Sequence, residues 1–564
     1  MKKIRLHSRP ARRIAALCSL ALTMSACSDY LDLTPMNEIV KENYWTEKAD
    51  VESVVNSCYA GLEADACLKR MFIYGELRSD NIVVSASTPY ALRQILNENL
   101  LETNEWVKWE SFYQVINRCN TVIAFAPEVA ERDPNYTVSE LRATLAEVTA
   151  LRALAYFYLV RTFRDVPYVT KPSLDDNNVD EDYRVAPTPM AEVIKLLIAD
   201  LEAVKDDALR LYPETGYPLY DAANTSRVTN CFIYALLADL YLWDGDYERC
   251  SYYCDRVLDY KMERYEELKE ENPANVADMD LFRDKYPLLL EQPSGTTVGR
   301  TYNSIFGNGN SFESIFELYF LSNQSVQNKL VAEFYGNSTT PAGNVGAADQ
   351  LYSGVYENTN QVFKPTDCRV PEGIEERGSA YAIRKYVYSY TNITMSRNNT
   401  APRVTASVRS AQNFANWVIY RLTDVMLMKA EAEVERQNFD EAFELVSTVY
   451  NRANNLTTAS ADTLARADYG SLALMRELVQ SERRRELMFE GKRWFDLVRF
   501  SLRTGDNTYL IERAVSKQKE RQSAIRIKLK SQDAIFWPYA KSELDANPRL
   551  TQNPAFVTNE TSQK

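Results

Sequence analysis

The run Glu482-Arg-Arg-Arg-Glu-Leu-Met-Phe-Glu-Gly-Lys-Arg-Trp-Phe-Asp-Leu497 places acids and arginines three and four residues apart up to Gly491. Residues at those separations share one face of a helix, so the charges are predicted to pair along it until the glycine interrupts it. Beyond Gly491, Trp494, Phe495, Leu497 and Val498 supply an apolar face. Two helices packed through a core with paired charges account for the whole segment, and its carboxylates need no catalytic role.

The same helical period extends outward. Leu145, Val148, Leu151, Ala155, Tyr158 and Leu159 give an amphipathic helix over Ala143 to Phe163, and Pro167 closes it. Ser111 to Phe125 and Asp50 to Leu62 repeat the pattern more briefly. Two further segments read as helix-turn-helix pairs of tetratricopeptide type. The first carries Ala238, Tyr241, Gly245, Tyr247, Cys250, Cys254 and Val257, and the second Ala430, Phe439, Ala442, Val446 and Val449. They stand far apart in sequence, so no tandem solenoid is expected. Long stretches rich in Asn, Gly, Ser, Thr and Tyr, about 266–310 and 335–414, intervene. Loops and short strands mounted on a helical scaffold are predicted there, and functional residues favour such loops.

The chain has 564 residues, of which 45% are hydrophobic and 25% charged, as expected for a globular body. Residues 1–26 run from a basic stretch (Lys2 to Arg13) through an apolar one (Ile14 to Met24) to small residues, the order of a secretory signal. Cys27 directly after Ser25-Ala26 resembles the acylated cysteine of a bacterial lipobox. Several acyl chains on one residue anchor firmly where one alone binds marginally. No later stretch reads as a membrane span. The formal charge of −13 becomes −19 once the six basic residues before Cys27 are removed. Such a surface repels phosphate backbones, so nucleic acid is not expected as a partner.

The only histidine, His7, lies in the signal. Catalysis by Ser-His-Asp or Cys-His and zinc held by imidazole are thereby excluded from the mature chain. Cys58, Cys67, Cys119, Cys231, Cys250, Cys254 and Cys368 show no disulfide framework or metal-ligand spacing and read as small core residues.

Several segments together resemble the SusD/RagB family of outer-membrane nutrient-binding lipoproteins from Bacteroidetes. They are Ser28-Asp-Tyr-Leu-Asp-Leu-Thr-Pro35, Tyr44-Trp45 with Tyr59-Ala-Gly-Leu62, and the run Glu147 to Leu159 with Asp165-Val-Pro167. Glu313-Ser-Ile-Phe-Glu317, the Glu482–Leu497 segment and the ending Asn547 to Pro554 complete the likeness. Ala555-Phe556 and Trp537-Pro538-Tyr539 depart from the family's usual endings. The resemblance implies a mainly α, SusD-like fold, a tetratricopeptide-like scaffold of helical pairs with loop-rich insertions and a few short strands. It divides the chain into the signal 1–26, an N-terminal helical region 27–260, a loop-rich insertion 261–415 and a C-terminal helical region 416–564. It also implies a lipid-anchored protein at the cell outer membrane, facing outward, that captures an oligo- or polysaccharide for a SusC-like TonB-dependent transporter.

Two walls are expected for the ligand. The first is the loop after Arg78-Ser79-Asp80-Asn81, reaching Tyr90 and Arg93; the second is Tyr302, Phe306 and Asn308. Aromatic faces cover the apolar side of a pyranose while Asp, Asn and Arg bond its hydroxyls. Trp109, Tyr113 and Ile116 sit at helical spacing and are assigned to the core. No catalytic residue, cofactor or metal is expected, although Asp278-Met-Asp280 is compatible with a structural calcium. Three competing readings are oligopeptide capture on the same scaffold, a carboxylate glycoside hydrolase, and a structural helical adaptor.

Overall fold

The computed structural model describes residues 44–173, 184–213, 220–291, 297–321, 326–395, 400–454 and 464–557. The signal 1–26, Cys27 and Ser28–Pro35 lie outside the described residues. The N-terminal region is built from α1 (Lys48–Glu63), α2 (Asp65–Glu76), α3 (Tyr90–Leu96), α4 (Glu110–Arg132), α5 (Val138–Phe163) and α6 (Met190–Val204). Helix α5 starts at a capping box: the Thr137 hydroxyl accepts from the Glu140 amide, and the Glu140 carboxylate accepts from the Thr137 amide. From Ala146 to Phe163 every residue is buried.

By length and composition α5 could cross a membrane, where the sequence reading found no such stretch beyond the signal. Instead its apolar surface is covered by α1, α4 and α6. Each fully buried Leu or Phe there contributes about 1.5–3 kcal/mol. Its buried charges all have partners. Glu147 receives Tyr59 and Arg227, Arg152 reaches Asn120 and Asp200, and the Arg161 guanidinium lies between the rings of Phe157 and Phe495.

Helices α7 (Asn230–Asp244) and α8 (Tyr247–Glu271) form the first tetratricopeptide-like pair, and α9 (Leu422–Glu435) and α10 (Phe439–Asn454) the second. Gly245 closes α7 at φ +82°, a left-handed position suited to glycine, and the Asp246 side chain caps α8. Helix α8 packs on α9, so the pairs separated in sequence are neighbours in space. The boundary drawn at residue 260 falls inside α8.

Short strands occupy the predicted loop-rich stretches, and others, Ile82–Val84, Ser314–Leu318 and Trp417–Arg421, lie outside them. In chain order they are β1 (Ile82–Val84), β2 (Met279–Phe282), β3 (Tyr286–Leu289), β4 (Ser314–Leu318) and β5 (Val345–Ala347). After them come β6 (Ile374–Arg377), β7 (Ala380–Ile383), β8 (Tyr388–Thr394), β9 (Arg403–Val408) and β10 (Trp417–Arg421). All pair antiparallel: β1 with β5, β2 with β3, β4 with β10, β6 with β7 and β8 with β9. The β4–β10 ribbon is wholly buried and leads directly into α9, tying the insertion to the helices.

The Glu482–Leu497 segment ends α11 (Leu472–Leu487), turns at Gly491 (φ +75°) and starts α12 (Arg493–Thr504). Pairing along the helix is confined to Glu482 with Arg485 among its glutamates. Most of its charges instead reach other elements, correcting the expected pairing. Glu486 meets Arg369, Arg421 and Arg452, Glu490 meets Lys385 and Arg421, and Arg483 meets Asp424. The physical reason is burial: these side chains have no water to turn to, and only tertiary partners complete their bonding. Helices α13 (Thr508–Ser516) and α14 (Gln522–Lys528) follow.

Candidate functional site

A cleft of about 640 Å³ opens where β1 and β5 pair in the register Ile82↔Ala347 and Val84↔Val345. That size is typical of small-molecule sites. The turn between β6 and β7 forms one side, and residues Ser516–Arg521 between α13 and α14 form the other. Gly346 allows β7 to approach, since a Cβ there would lie 3.2 Å from the Tyr381 carbonyl oxygen.

Tyr381 is the aromatic residue lining the cleft. It is half-buried, with its ring packed on Tyr352 at 4.9 Å between centroids, and Tyr352 in turn meets Tyr356 edge-on. The same cleft is lined by Ser85, Asn97, Gln350 and Gln518, polar groups of the kind that bond hydroxyls. The rim is cationic for so acidic a chain. Arg377, Lys517, Lys519 and Arg521 face Asp349 and Glu520. Arg377 is tied to Glu375, and Lys517 donates to the Leu77 carbonyl, with burial pushing its amine down to about 8.

Side-chain hydrogen bonds brace the walls. Ser85 and Ser87 both donate to the Gly343 carbonyl at 2.8 Å, and Thr88 donates to that of Asn344 at 2.7 Å. The Gln350 amide spans from the Asp80 carbonyl to the Ser516 hydroxyl. A second, more open hollow of about 460 Å³ lies beside β8, with Arg300, Asn303, Asn308, Tyr390 and Asn392 on its surface.

The first expected wall is corrected at its root. Arg78, Asp80 and Asn81 are completely buried. Arg78 pairs with Glu98 at 2.7 Å, donates to the carbonyls of Ala534 and Ile535, and stacks 4.1 Å over Trp494. Asp80 is held between Arg484 and Arg493 at 3.2 and 2.9 Å. Burial pushes its carboxyl up, but the two guanidiniums outweigh that and hold it well below the usual range. Asn81 bridges Glu76 and Arg484. These polar side chains bind the protein to itself. The loop they anchor, from Ile82 to Ser85, does line the cleft. Tyr90, 76% exposed, and Arg93, also exposed, lie on α3 outside the cleft lining.

The second wall divides. Tyr302 and Phe306 are buried, the Tyr302 hydroxyl donating to the Arg384 carbonyl at 2.9 Å and Phe306 packing on Tyr386 at 4.9 Å. Both are corrected from contact residues to core, because the turn holding them folds under β8. Asn308 is exposed and borders the open hollow. Trp109 is buried as assigned, and Trp106 is half-buried with Arg70 over its ring. Asp278 pairs with Arg300.

Sequence reasoning missed Tyr381, Arg377, Gln350 and the Ser516–Arg521 segment. Tyr381 and Gln350 lay within the tyrosine-rich insertion that was predicted to carry function, but nothing local distinguished them from their neighbours. The charged run Lys517-Gln-Lys-Glu-Arg521 between two helical patterns was the available signal for the opposite side.

This architecture, helical pairs carrying a braced cleft on their insertion, defines a scaffold of the SusD type. Residues 292–556 match the family model described as SusD family, and residues 29–242 match one described as starch-binding associating with outer membrane. The chain belongs to the SusD/RagB family. A SusD-like protein of Formosa agariphila is 26% identical over 543 residues, covering 94% of this chain and 96% of its own length. A SusD homolog crystal structure from Bacteroides thetaiotaomicron superposes with a TM-score of 0.66 at 17% identity, covering 91% of this chain and 98% of that one. A SusD superfamily protein from the same organism gives a TM-score of 0.63 at 20% identity, covering 91% and 99%.

Proposed function

We propose that this protein is a non-catalytic, lipid-anchored glycan-binding protein of the outer membrane that passes its ligand to a TonB-dependent transporter. The observation that carries the reading is the Tyr381–Tyr352 ladder at the edge of a braced, hydroxyl- and amide-lined cleft. A pyranose lays its C–H face on such a ring while the surrounding Ser, Asn and Gln groups bond its hydroxyls. The bracing supports recognition without large rearrangement, which lowers the entropic cost of binding. With Arg377 tied to Glu375 and Lys517 turned to the Leu77 carbonyl, Lys519 and Arg521 stand against Asp349 and Glu520, so the rim itself does not select for charged glycans. The family description supports an outer-membrane glycan-binding role, and Cys27, as a lipobox cysteine, would supply the anchor. Transfer to a transporter rests on the family likeness.

Retardation of the protein on gels carrying neutral or acidic polysaccharides tests this. Retention that Tyr381→Ala weakens about tenfold, with the polymer recovered at full length, supports the reading. Shortened polymer would make the protein a hydrolase. Absence of retention on every glycan, with heat released on adding peptide mixtures in calorimetry, would favour oligopeptide capture.

A further inference from the structure

Beneath Tyr302 and Phe306 lies a small hollow of about 40 Å³, apart from the cleft and lined largely by charged side chains. Glu291, Cys368 and Glu372 all line it, and one ligating atom from each falls within 4.8 Å of the other two. All three residues are more than nine-tenths buried, at 6%, 2% and 7% exposure. Glu291 accepts from the backbone amides of Gly299 and Arg300, while Oε1 of Glu372 is buried with no hydrogen-bond partner. A buried carboxyl oxygen is costly to leave without a partner, so something is expected to meet it.

The surrounding charges define what is missing. Five buried acids nearby, Asp367, Glu313, Glu482, Glu486 and Glu490, are each paired with one or more of Arg369, Lys385, Arg421, Arg452 and Arg485. Among the described residues Glu291 and Glu372 have no ion pair. Two buried carboxyls without an ion pair therefore stand together with the thiol at this hollow.

We propose that Glu291, Cys368 and Glu372 hold one divalent cation of the zinc class, with a cavity water as fourth ligand. Sulfur beside two carboxylates suits a borderline-soft ion and disfavours calcium or magnesium, which take oxygen alone. Zinc bonds of about 2.3 Å to sulfur and about 2.0–2.2 Å to oxygen bring donors to roughly 3.5 Å apart. That requires side-chain movements of about an ångström from the present spread. The cavity has room for the ion and a water, since one water needs about 10–15 Å³. On binding, the Cys368 thiol gives its proton to solvent and its sulfur donates to the metal. The ion would staple Glu291, just after β3, to the short helix Arg369–Gly373, fixing the insertion over the Glu482–Leu497 segment. Sequence inspection could not find the site, because Glu291 stands far from Cys368 and Glu372 in the chain.

The test is the metal content of purified protein after unfolding and refolding with excess zinc, followed by dialysis. About one equivalent retained is expected, falling to background in Cys368→Ser and Glu372→Gln and unchanged in Cys254→Ser. Circular dichroism confirms that each variant is folded, and the isosteric Glu372→Gln keeps the test valid should Cys368→Ser not fold. Refolding with cobalt adds a spectroscopic signature, a near-ultraviolet thiolate-to-metal band that Cys368→Ser removes. No retained metal in the folded protein, or metal unchanged by Cys368→Ser and Glu372→Gln, overturns the proposal.

Discussion

Gly75 of α2 faces the backbone of Gly491 so closely that a Cβ on Gly75 would lie 1.7 Å from the Gly491 carbonyl oxygen. The obstacle is backbone, so no rotamer change relieves it. Ala at position 75 gains about 1 kcal/mol in helix propensity but forces the α11–α12 turn away from α2. Gly75→Ala is expected to destabilise by about 1–3 kcal/mol or more, read as a lower urea midpoint. Gly470→Ala, with open space around it, is expected within about 0.5 kcal/mol of wild type. Equal midpoints for the two variants would refute the close approach.

Asp80 sits between Arg484 and Arg493 with no exposure, so its removal leaves two guanidiniums uncompensated. Asp80→Asn is expected to cost about 3–5 kcal/mol of stability. Glycan retention by the folded protein should be unchanged. Loss of retention at wild-type stability would return Asp80 to the ligand site.

The cleft and the open hollow are separable by mutation. Tyr390, 51% exposed beside Asn308, should be replaceable by Ala without weakening retention. Tyr302→Phe removes the donor to the Arg384 carbonyl and is expected to cost about 1–3 kcal/mol of stability, again with retention intact. Weakened retention in Tyr390→Ala would move the ligand to the hollow.

Burial raises the Glu63 carboxyl to about 7, with the Tyr319 backbone amide lowering it in part. Between its ordinary value of 4.5 and about 7 the folded protein therefore holds a proton that the unfolded chain releases. The contribution of Glu63 to stability thus falls as pH rises through that window. Urea midpoints measured from pH 5 to 7.5 should decline less steeply in Glu63→Gln than in wild type. An unaltered slope would show that Glu63 titrates alike in both states.

Helices were legible because their signal is local. The period around Val446 reports which face must leave water. The helices at Leu151 and Ala238 are buried on every side, so the one-sided face expected over Ala143–Phe163 is not found there. Charge was legible only in part. Arg78, Asp80 and Asn81 look on paper like a polar loop, and nothing in their neighbours announces that Glu98, Arg484 and Trp494 will enclose them. A buried ion pair and a ligand-binding one use the same residue types.

The chain alone specified a helical scaffold, the family through its dispersed motifs, and a body without histidine beyond His7. Each depends on residue identity or short-range spacing, which survives without coordinates. Which polar side chains are buried and which line the cleft was decided by folding. Strand β1 meets β5 and Tyr381 from a distant part of the chain, while Tyr302 and Phe306 turn inward beneath β8. Exposure arises from such long-range packing, so the residues lining a cleft formed by several separate segments cannot be read from any one of them.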